Sequence, residues 1–127
     1  MDLQRIDHVV FTVPDIEVTC SFYHNVLGME VITADDGRKA LRFGECKINL
    51  HQRGNEFEPK AMHPAPGTQD ICLITNMSLS SVLTRLERAG VEVLEGPVPR
   101  SGALGPIESI YIRDPDGNLI EIARYAE

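Results

Sequence analysis

The sequence contains an internal repeat, and this repeat limits the folds that the chain can adopt. Gly28-Met29-Glu30-Val31 matches Gly90-Val91-Glu92-Val93 at a separation of 62 residues (28 to 90), and the same separation carries His8 onto Asp70. A repeated sequence indicates a repeated supersecondary unit. We therefore predict two modules with the same order of elements.

The first module, residues about 4–53, is predicted to have the order β-α-β-β-β. The apolar, β-branched stretch Ile6–Val13 predicts a strand. Asp15 is a typical N-cap residue and Gly28 a typical helix stop, so we predict a helix between them. Three short strands are predicted after this helix, over Met29–Thr33, Lys39–Phe43 and Cys46–Gln52.

The second module, residues about 68–125, follows a segment at 54–67 that is rich in Pro and Gly and is predicted to be a linker. Ser78 is the predicted N-cap of its helix, which ends at Gly90. Its strands are predicted over Asp70–Thr75, Val91–Val98, Ile107–Arg113 and the segment after Gly117, with a Pro- and Gly-rich loop over 97–106. The order is again β-α-β-β-β.

The composition indicates one domain that binds small molecules. With 127 residues, 43% of them hydrophobic and 24% charged, the chain is long enough to bury a sizeable core. The formal net charge of −7 opposes binding to nucleic acid or to an anionic membrane. No apolar run has transmembrane length, and the first residues lack the pattern of a signal peptide. We therefore predict a cytoplasmic protein.

The three cysteines, Cys20, Cys46 and Cys72, are widely spaced. This spacing matches neither a zinc knuckle nor a disulfide framework. Each cysteine lies among apolar residues, so we predict buried free thiols.

The last predicted strand carries a carboxylate within an apolar run. The turn Arg113–Gly117 contains Pro and Gly, and Leu119–Ile122 follows it with Glu121 interrupting the apolar residues. Because side chains alternate along a strand, Glu121 shares a face with Leu119 and Ala123. Either this face is solvated, or the carboxylate points into a cavity that contains a partner.

The chain resembles the vicinal oxygen chelate superfamily, which includes glyoxalase I, bleomycin-resistance proteins and extradiol dioxygenases. The resemblance rests on Ile6-Asp7-His8-Val9-Val10, on the helix end Phe22–Gly28 and on the ending Asp114–Glu121. Through Ile48–His51 and Pro66–Leu73, it extends to the glyoxalase domain-containing protein 5 group and to virulence proteins related to biphenyl-2,3-diol dioxygenase III.

The resemblance implies an α+β fold with one divalent metal ion per site. Two βαβββ modules form a cupped, mostly antiparallel sheet with the helices outside, and ligands come from the first and last strands of each module. Carried over, the metal ligands are His8, His51, Asp70 and Glu121. Asn49, two residues before His51, is the alternative in the first module. Asp70 departs from the pattern, because many members have His there.

The resemblance further implies an enzyme of lyase or isomerase type, with Glu121 as the base and Asp70 as the second catalytic candidate. The metal would be Ni²⁺, Zn²⁺, Mn²⁺ or Fe²⁺, and small chains of this kind usually form homodimers. The basic residues that could receive substrate carboxylates are Arg53, Lys60 and Arg100, which the sequence does not place.

Two other functions stay open at this point. An Fe²⁺ extradiol dioxygenase uses two His and one carboxylate, which this chain supplies only if His51 is a ligand. A non-catalytic protein that sequesters an antibiotic would need no metal. Structural roles are also open for the candidates: His8 as a core histidine, His51 at the rim of the sheet and Asp70 in a surface turn.

Overall fold

A computed structural model describes residues 1–126 of the chain. Their fold is α+β, with two helices and eight strands in two separate four-stranded sheets, neither of which closes on itself. The chain divides into two compact units, Met1–Thr68 and the segment that begins at Gln69. Each unit has the order β-α-β-β-β, which confirms the predicted fold class.

The first unit builds a mixed sheet with β1 at one edge. Its elements are β1 (His8–Val13), α1 (Ile16–Asn25), β2 (Glu30–Thr33), β3 (Lys39–Phe43) and β4 (Cys46–Gln52). The strand order is β1-β4-β3-β2, in which β1 is parallel to β4 and the other pairs are antiparallel. Phe11 and Tyr23 are fully buried and their rings meet edge to face, with centroids 6.2 Å apart, so β1 and α1 share one core.

The second unit repeats this arrangement. Its elements are β5 (Asp70–Ile74), α2 (Leu79–Arg88), β6 (Glu95–Gly102), β7 (Gly105–Arg113) and β8 (Leu119–Tyr125). The strand order is β5-β8-β7-β6, with β5 parallel to β8 and β5 at one edge. Its core contains Leu79, Val82 and Leu86 of α2 together with Ile110, Ile112, Ile120 and Ile122 of the sheet.

The helix boundaries follow the predicted capping residues. The Asp15 carboxylate accepts a hydrogen bond from the Val18 N–H, and the Ser78 hydroxyl accepts one from the Ser81 N–H. Gly28 and Gly90 follow the two helices with φ of 76° and 71°, a conformation that other residues rarely adopt. The two glycines that revealed the repeat therefore have the same structural role.

The prediction for β6 was wrong. A strand was predicted over Val91–Val98 and a loop over 97–106, but β6 runs over Glu95–Gly102 and forms a hairpin with β7. Pro97 and Pro99 lie within this strand because β6 is an edge strand, where a missing N–H breaks no interior ladder. The other strand predictions are confirmed to within two residues at each end.

Within residues 1–126, neither helix is long and apolar enough to cross a membrane.

Candidate functional site

His8 opens β1, and its ring is held by the residue before it. His8 Nδ1 lies 2.8 Å from Asp7 Oδ2. The hydrogen bond from His8 lowers the pKa of Asp7, so Asp7 is ionised at neutral pH. A carboxylate only accepts hydrogen bonds, so Nδ1 carries the hydrogen and donates it. In the neutral tautomer with the hydrogen on Nδ1 the lone pair is on Nε2, and the side chain of His8 is 45% exposed.

The pairing of β1 with β4 determines which residues share a face with His8. His8 is opposite Lys47, Val10 is opposite Asn49 and Thr12 is opposite His51. Since side chains alternate, Asn49 and His51 both lie on the face of His8. At about 3.3 Å per residue, Asn49 is about 7 Å further along the strand direction than His8, and His51 is about 13 Å further.

His51 contacts the segment that follows β4 in the sequence. Its ring meets Phe57 edge to face, with centroids 5.5 Å apart and an angle of 79° between the planes. The guanidinium carbon of Arg38 lies 3.5 Å from the centroid of the Phe57 ring. These contacts correspond to the rim position that was left open for His51.

In the second unit, the turn before β8 aligns β8 with β5. The Asp114 carboxylate accepts hydrogen bonds from the N–H groups of Asp116 and Asn118 and from the Asn118 side chain, at 2.9, 3.0 and 2.7 Å. The Asn118 side-chain oxygen accepts from the Gln69 N–H at 2.9 Å, and the Leu119 N–H donates to the Gln69 carbonyl at 3.0 Å. These hydrogen bonds to Gln69, the residue before Asp70, therefore fix the register of β8 against β5.

This register places Asp70 and Glu121 on one face. Asp70 is opposite Leu119, and Glu121 is two residues beyond Leu119. The first unit has the same offset, because Asn49 is two residues beyond Lys47, the partner of His8. By register, Asn49 is therefore the counterpart of Glu121, and His51 is the counterpart of Ala123. This is the assignment that the sequence left open.

Glu121 is half-buried and has two neighbours that donate hydrogen bonds. Ser109 Oγ donates to Glu121 Oε2 at 2.5 Å, and the Cys72 thiol hydrogen-bonds to the same carboxylate. Neighbouring atoms keep part of the solvent from the Cys72 sulfur although the residue as a whole is exposed, and this desolvation, with the negative charge and the hydrogen bond of Glu121, raises the pKa of Cys72 to about 11. Glu121 therefore has hydrogen-bond partners, as the second of the two environments requires, and it does not line the cavity described below.

The prediction of buried thiols holds only for Cys20. Cys46 is half-buried and Cys72 is exposed. Cys72 lies in β5, which is an edge strand of its sheet. On its outer side β5 has no neighbouring strand of that sheet. An apolar neighbourhood in the sequence therefore did not imply burial.

Arg100 is bound to the residue that pairs with Glu121 in the sheet. Tyr111 is directly opposite Glu121 in the β7–β8 pair, and its hydroxyl accepts a hydrogen bond from Arg100 Nε at 2.9 Å. Arg100 also donates to Glu95 at 3.3 Å, and the Tyr111 hydrogen bond raises the pKa of Arg100. The guanidinium is thus held in place and permanently charged.

No group of three or more His, Cys, Asp or Glu side chains in residues 1–126 is arranged to hold a metal ion. Each unit supplies its own pair of candidates, His8 with Asn49 or His51 in the first and Asp70 with Glu121 in the second. A cavity of about 560 Å³ in the second unit is lined instead by residues such as Leu79, Leu83 and Tyr125, and contains none of the candidates.

Sequence reasoning missed two of the residues that surround the candidates. Asp7 could have been found, because a carboxylate directly before a ligand-type histidine is a local signal. Ser109 could not, because 12 residues and a turn separate it from Glu121, and only the pairing of β7 with β8 brings them together.

Comparison with known proteins agrees with this architecture. Residues 5–122 match the family described as the Glyoxalase/Bleomycin resistance protein/Dioxygenase superfamily. The chain belongs to this superfamily. It has the same fold as a lactoylglutathione lyase from Agrobacterium tumefaciens, with a TM-score of 0.74 over 98% of this chain and 96% of that one at 23% identity.

Two relatives match most of the chain at high identity. The virulence protein STM3117 of Salmonella typhimurium is 55% identical over 98% of this chain and 87% of the relative. Its crystal structure has a TM-score of 0.97 and covers 99% of this chain and 100% of that one. The glyoxalase domain-containing protein RDO1 of Mycosarcoma maydis is 50% identical over 100% of this chain and 72% of the relative.

The superfamily contains proteins with different functions. An ethylmalonyl-CoA/methylmalonyl-CoA epimerase of Cereibacter sphaeroides is 32% identical over 93% of this chain and 96% of the relative. Other members are named metallothiol transferase FosB, and a protein of the same fold is an antibiotic-binding protein from Streptomyces. Membership in the superfamily therefore does not identify a reaction.

Proposed function

We propose that this protein is a divalent-metal-dependent enzyme of lyase or isomerase type, acting on a small substrate chelated through neighbouring oxygens. The hydrogen bond of 2.8 Å between His8 Nδ1 and Asp7 carries this proposal. Histidines that bind metal ions commonly donate their other ring N–H to a carboxylate, which fixes the tautomer and raises the basicity of the ligand.

The proposed ligands are His8, Asp70 and Glu121, with His51 or Asn49 from β4. One imidazole nitrogen and two carboxylates suit Mn²⁺, Fe²⁺, Ni²⁺ or Zn²⁺. The surroundings of Glu121 are compatible with this role, because an ionised carboxylate has about four lone-pair sites and two hydrogen bonds leave the others available. When bound, the ion would polarise an oxygen of the substrate and stabilise the negative charge that develops on it.

The chain's own residues would transfer the proton. Glu121 is the proposed base, which removes a proton from the carbon next to the polarised oxygen and returns it to the neighbouring atom. Asp70 shares its face and is the second candidate. The guanidinium of Arg100 lies near Tyr111, which is opposite Glu121, and this supports a substrate that carries a carboxylate or a similar anionic group.

We also propose that the active form is a homodimer. Strands β1 and β5 are both edge strands, and Val10 and Ile74 on them are 41% and 53% exposed. An open edge with apolar side chains is a surface on which another strand can pair. A second copy of the chain offers matching edges, and this proposal does not depend on the reaction catalysed.

Metal titration of the purified protein would test the proposed function. We expect about one Mn²⁺, Ni²⁺ or Zn²⁺ per chain, measured by calorimetry and elemental analysis, and weaker binding in the His8→Ala and Glu121→Ala variants. His24→Ala is the control, because His24 Nδ1 is hydrogen-bonded to the Met29 carbonyl at the end of α1. Equal binding by all four proteins would contradict the proposed ligand set.

The preferred ion would then direct the search for a substrate. Selectivity for Ni²⁺ or Zn²⁺ would favour assays with hemithioacetals. Selectivity for Fe²⁺, with loss of binding in His51→Ala, would favour the alternative of a ring-cleaving dioxygenase. If the wild-type protein binds none of these ions, the enzyme proposal fails, and screening for bound antibiotics becomes the appropriate test.

A further inference from the structure

The cavity of about 560 Å³ in the second unit lies at the N-terminal end of α2, where Ser78, Leu79 and Ser80 line it. We propose that this helix-end cavity binds a small, uncharged molecule that contains an apolar ring system. Its volume is within the range of about 300–1,000 Å³ that is typical of small-molecule sites. It contains no candidate metal ligand, so the proposal does not depend on the proposed function.

The helix-end cavity exists because α2 is shorter than the strands on which it packs. The 10 residues of α2 span about 15 Å, whereas the 9 residues of β7 span about 30 Å. Ile110 and Ile122 are opposite each other on β7 and β8 and belong to the core. Glu108 and Arg124 are the next pair on the same face, and both line the cavity. The sheet therefore continues past the start of α2 and leaves a space beside it.

The lining offers a ligand mostly apolar surface. Leu79 and Leu83 line the cavity from α2, and the opposed pair Ile107 and Tyr125 lines it from β7 and β8. Three further lining residues are prolines, which have no N–H to donate: Pro97, Pro99 and Pro106. A molecule in the cavity would therefore gain affinity mainly by burying apolar surface.

Several hydroxyl groups of the lining already have partners within the protein. The Tyr125 hydroxyl accepts a hydrogen bond from the Leu104 N–H at 3.0 Å. The Ser78 hydroxyl accepts one from the Ser81 N–H and lies 3.3 Å from the Ser80 hydroxyl. A polar ligand would have to compete with these hydrogen bonds, whereas an apolar ring would leave them intact.

The charges of the lining favour an uncharged ligand. Glu108 and Arg124 are directly opposite each other, so their charges offset, and Pro99 is opposite Glu108 on the other side. A charged ligand of either sign would meet one like charge there. The formal net charge of −7 on the chain further disfavours an anion.

Fluorescence titration of the whole protein with N-phenyl-1-naphthylamine tests the proposal, because this probe is uncharged and consists of aromatic rings. The matched anionic probe is 8-anilino-1-naphthalenesulfonate, which has the same ring skeleton with a sulfonate added. We expect one molecule of the uncharged probe per chain. Its affinity should be about 10-fold higher than that of the sulfonate, which must give up hydration of its charge.

Three variants assign the binding to the helix-end cavity. Leu83→Asn replaces an apolar wall with a polar group of similar size and should weaken binding of the uncharged probe about 10-fold. Leu94→Asn is the matched control, because Leu94 is exposed and does not line the cavity. Glu108→Gln leaves the charge of Arg124 without its opposite charge, so the sulfonate should gain affinity while the uncharged probe does not.

Thermal unfolding of each variant verifies that the fold is retained. Absence of saturable binding of the uncharged probe by the wild type would overturn the proposal, and so would wild-type affinity in Leu83→Asn. Glu108 is exposed, so Glu108→Gln should fold even if Leu83→Asn does not, and an unchanged preference between the probes would contradict the proposal. A wild-type dimer that excludes the probe and that Leu83→Asn dissociates would instead assign the cavity to an interface between copies.

Discussion

The Asp7 carboxylate lies 2.8 Å from Nδ1 of its neighbour His8 and accepts its hydrogen bond, which leaves the lone pair of the opposite ring nitrogen available to the proposed metal ion. Asp7→Asn should therefore weaken Zn²⁺ binding by about 10–100-fold, because the neutral amide oxygen accepts a weaker hydrogen bond than a carboxylate and does not raise the basicity of the ring. Calorimetric titration measures the change. Asp2→Asn removes the same charge from the N-terminal segment and should have no effect. Equal losses in both variants would point to a general effect of net charge.

The register of β1 and β4 leads to a prediction about Asn49 and His51. Asn49 has the same offset from His8 that Glu121 has from Asp70, whereas His51 is two residues further along the strand. We therefore expect Asn49→Ala to weaken metal binding and His51→Ala to retain the wild-type affinity in the same titration. The reverse result would show that His51 is the ligand and would reopen the dioxygenase alternative.

The comparison of Asn49 with His51 shows what the sequence could not decide. The separation of 62 residues places His8 and Asp70 at equivalent strand starts, and the structure confirms this. The corresponding residue of β4 depends on hairpin lengths, which differ between the modules. Only the strand pairing resolves it.

Prolines account for the main error in the fold. Pro97 and Pro99 are typical of loops, and local preference therefore favoured a loop over the segment that forms β6. Whether a strand tolerates proline depends on whether it lies at a sheet edge, which is a property of the tertiary structure. The contact between Ser109 and Glu121 could not be predicted for the same reason, because it depends on two strands pairing.

The raised pKa of Cys72, about 11, predicts slow alkylation in the metal-free protein. At pH 8 the reactive thiolate should be about 100-fold less populated than for a thiol of pKa 9. Glu121→Gln removes the charge that raises this pKa and should accelerate labelling of Cys72 by iodoacetamide, followed by peptide mass spectrometry. Glu108→Gln is the control and should not change the rate. A wild-type rate equal to that of a free cysteine would contradict the prediction.

The raised pKa of Cys72 also makes the free energy of unfolding depend on pH. Because the pKa of Cys72 is raised in the folded state, its contribution to stability is complete below the unfolded value of 9.0 and is lost as pH rises towards about 11. The free energy of unfolding should therefore fall across this range, as measured by urea denaturation. Cys72→Ser should show a smaller decrease, and an identical pH profile would assign the effect to other groups.

The close packing at Gly96 predicts a large loss of stability in Gly96→Ala. The added Cβ would collide with the Ser109 carbonyl, and φ of 115° at this position is unfavourable for any other residue. Gly44→Ala is the matched control, since φ there is 51° and a Cβ meets open space. We expect about 1–2 kcal/mol for the control, from backbone strain alone, and a clearly larger loss for Gly96→Ala. Urea denaturation measures both, and equal losses would show that β6 moves to accommodate the methyl group.

The open edges of β1 and β5 predict that charge at either edge prevents dimer formation. Val10 and Ile74 are 41% and 53% exposed on these edges. A lysine at either position would bring an ammonium group into the interface, where it must lose its hydration, so Val10→Lys and Ile74→Lys should be monomers. Val18→Lys provides a matched control, because Val18 is 48% exposed and lies on α1 instead of on an edge strand. Light scattering coupled to size exclusion should give twice the chain mass of 14.1 kDa for the wild type and the control. A monomeric wild type, or a dimer that persists in both edge variants, would exclude these edges as the interface.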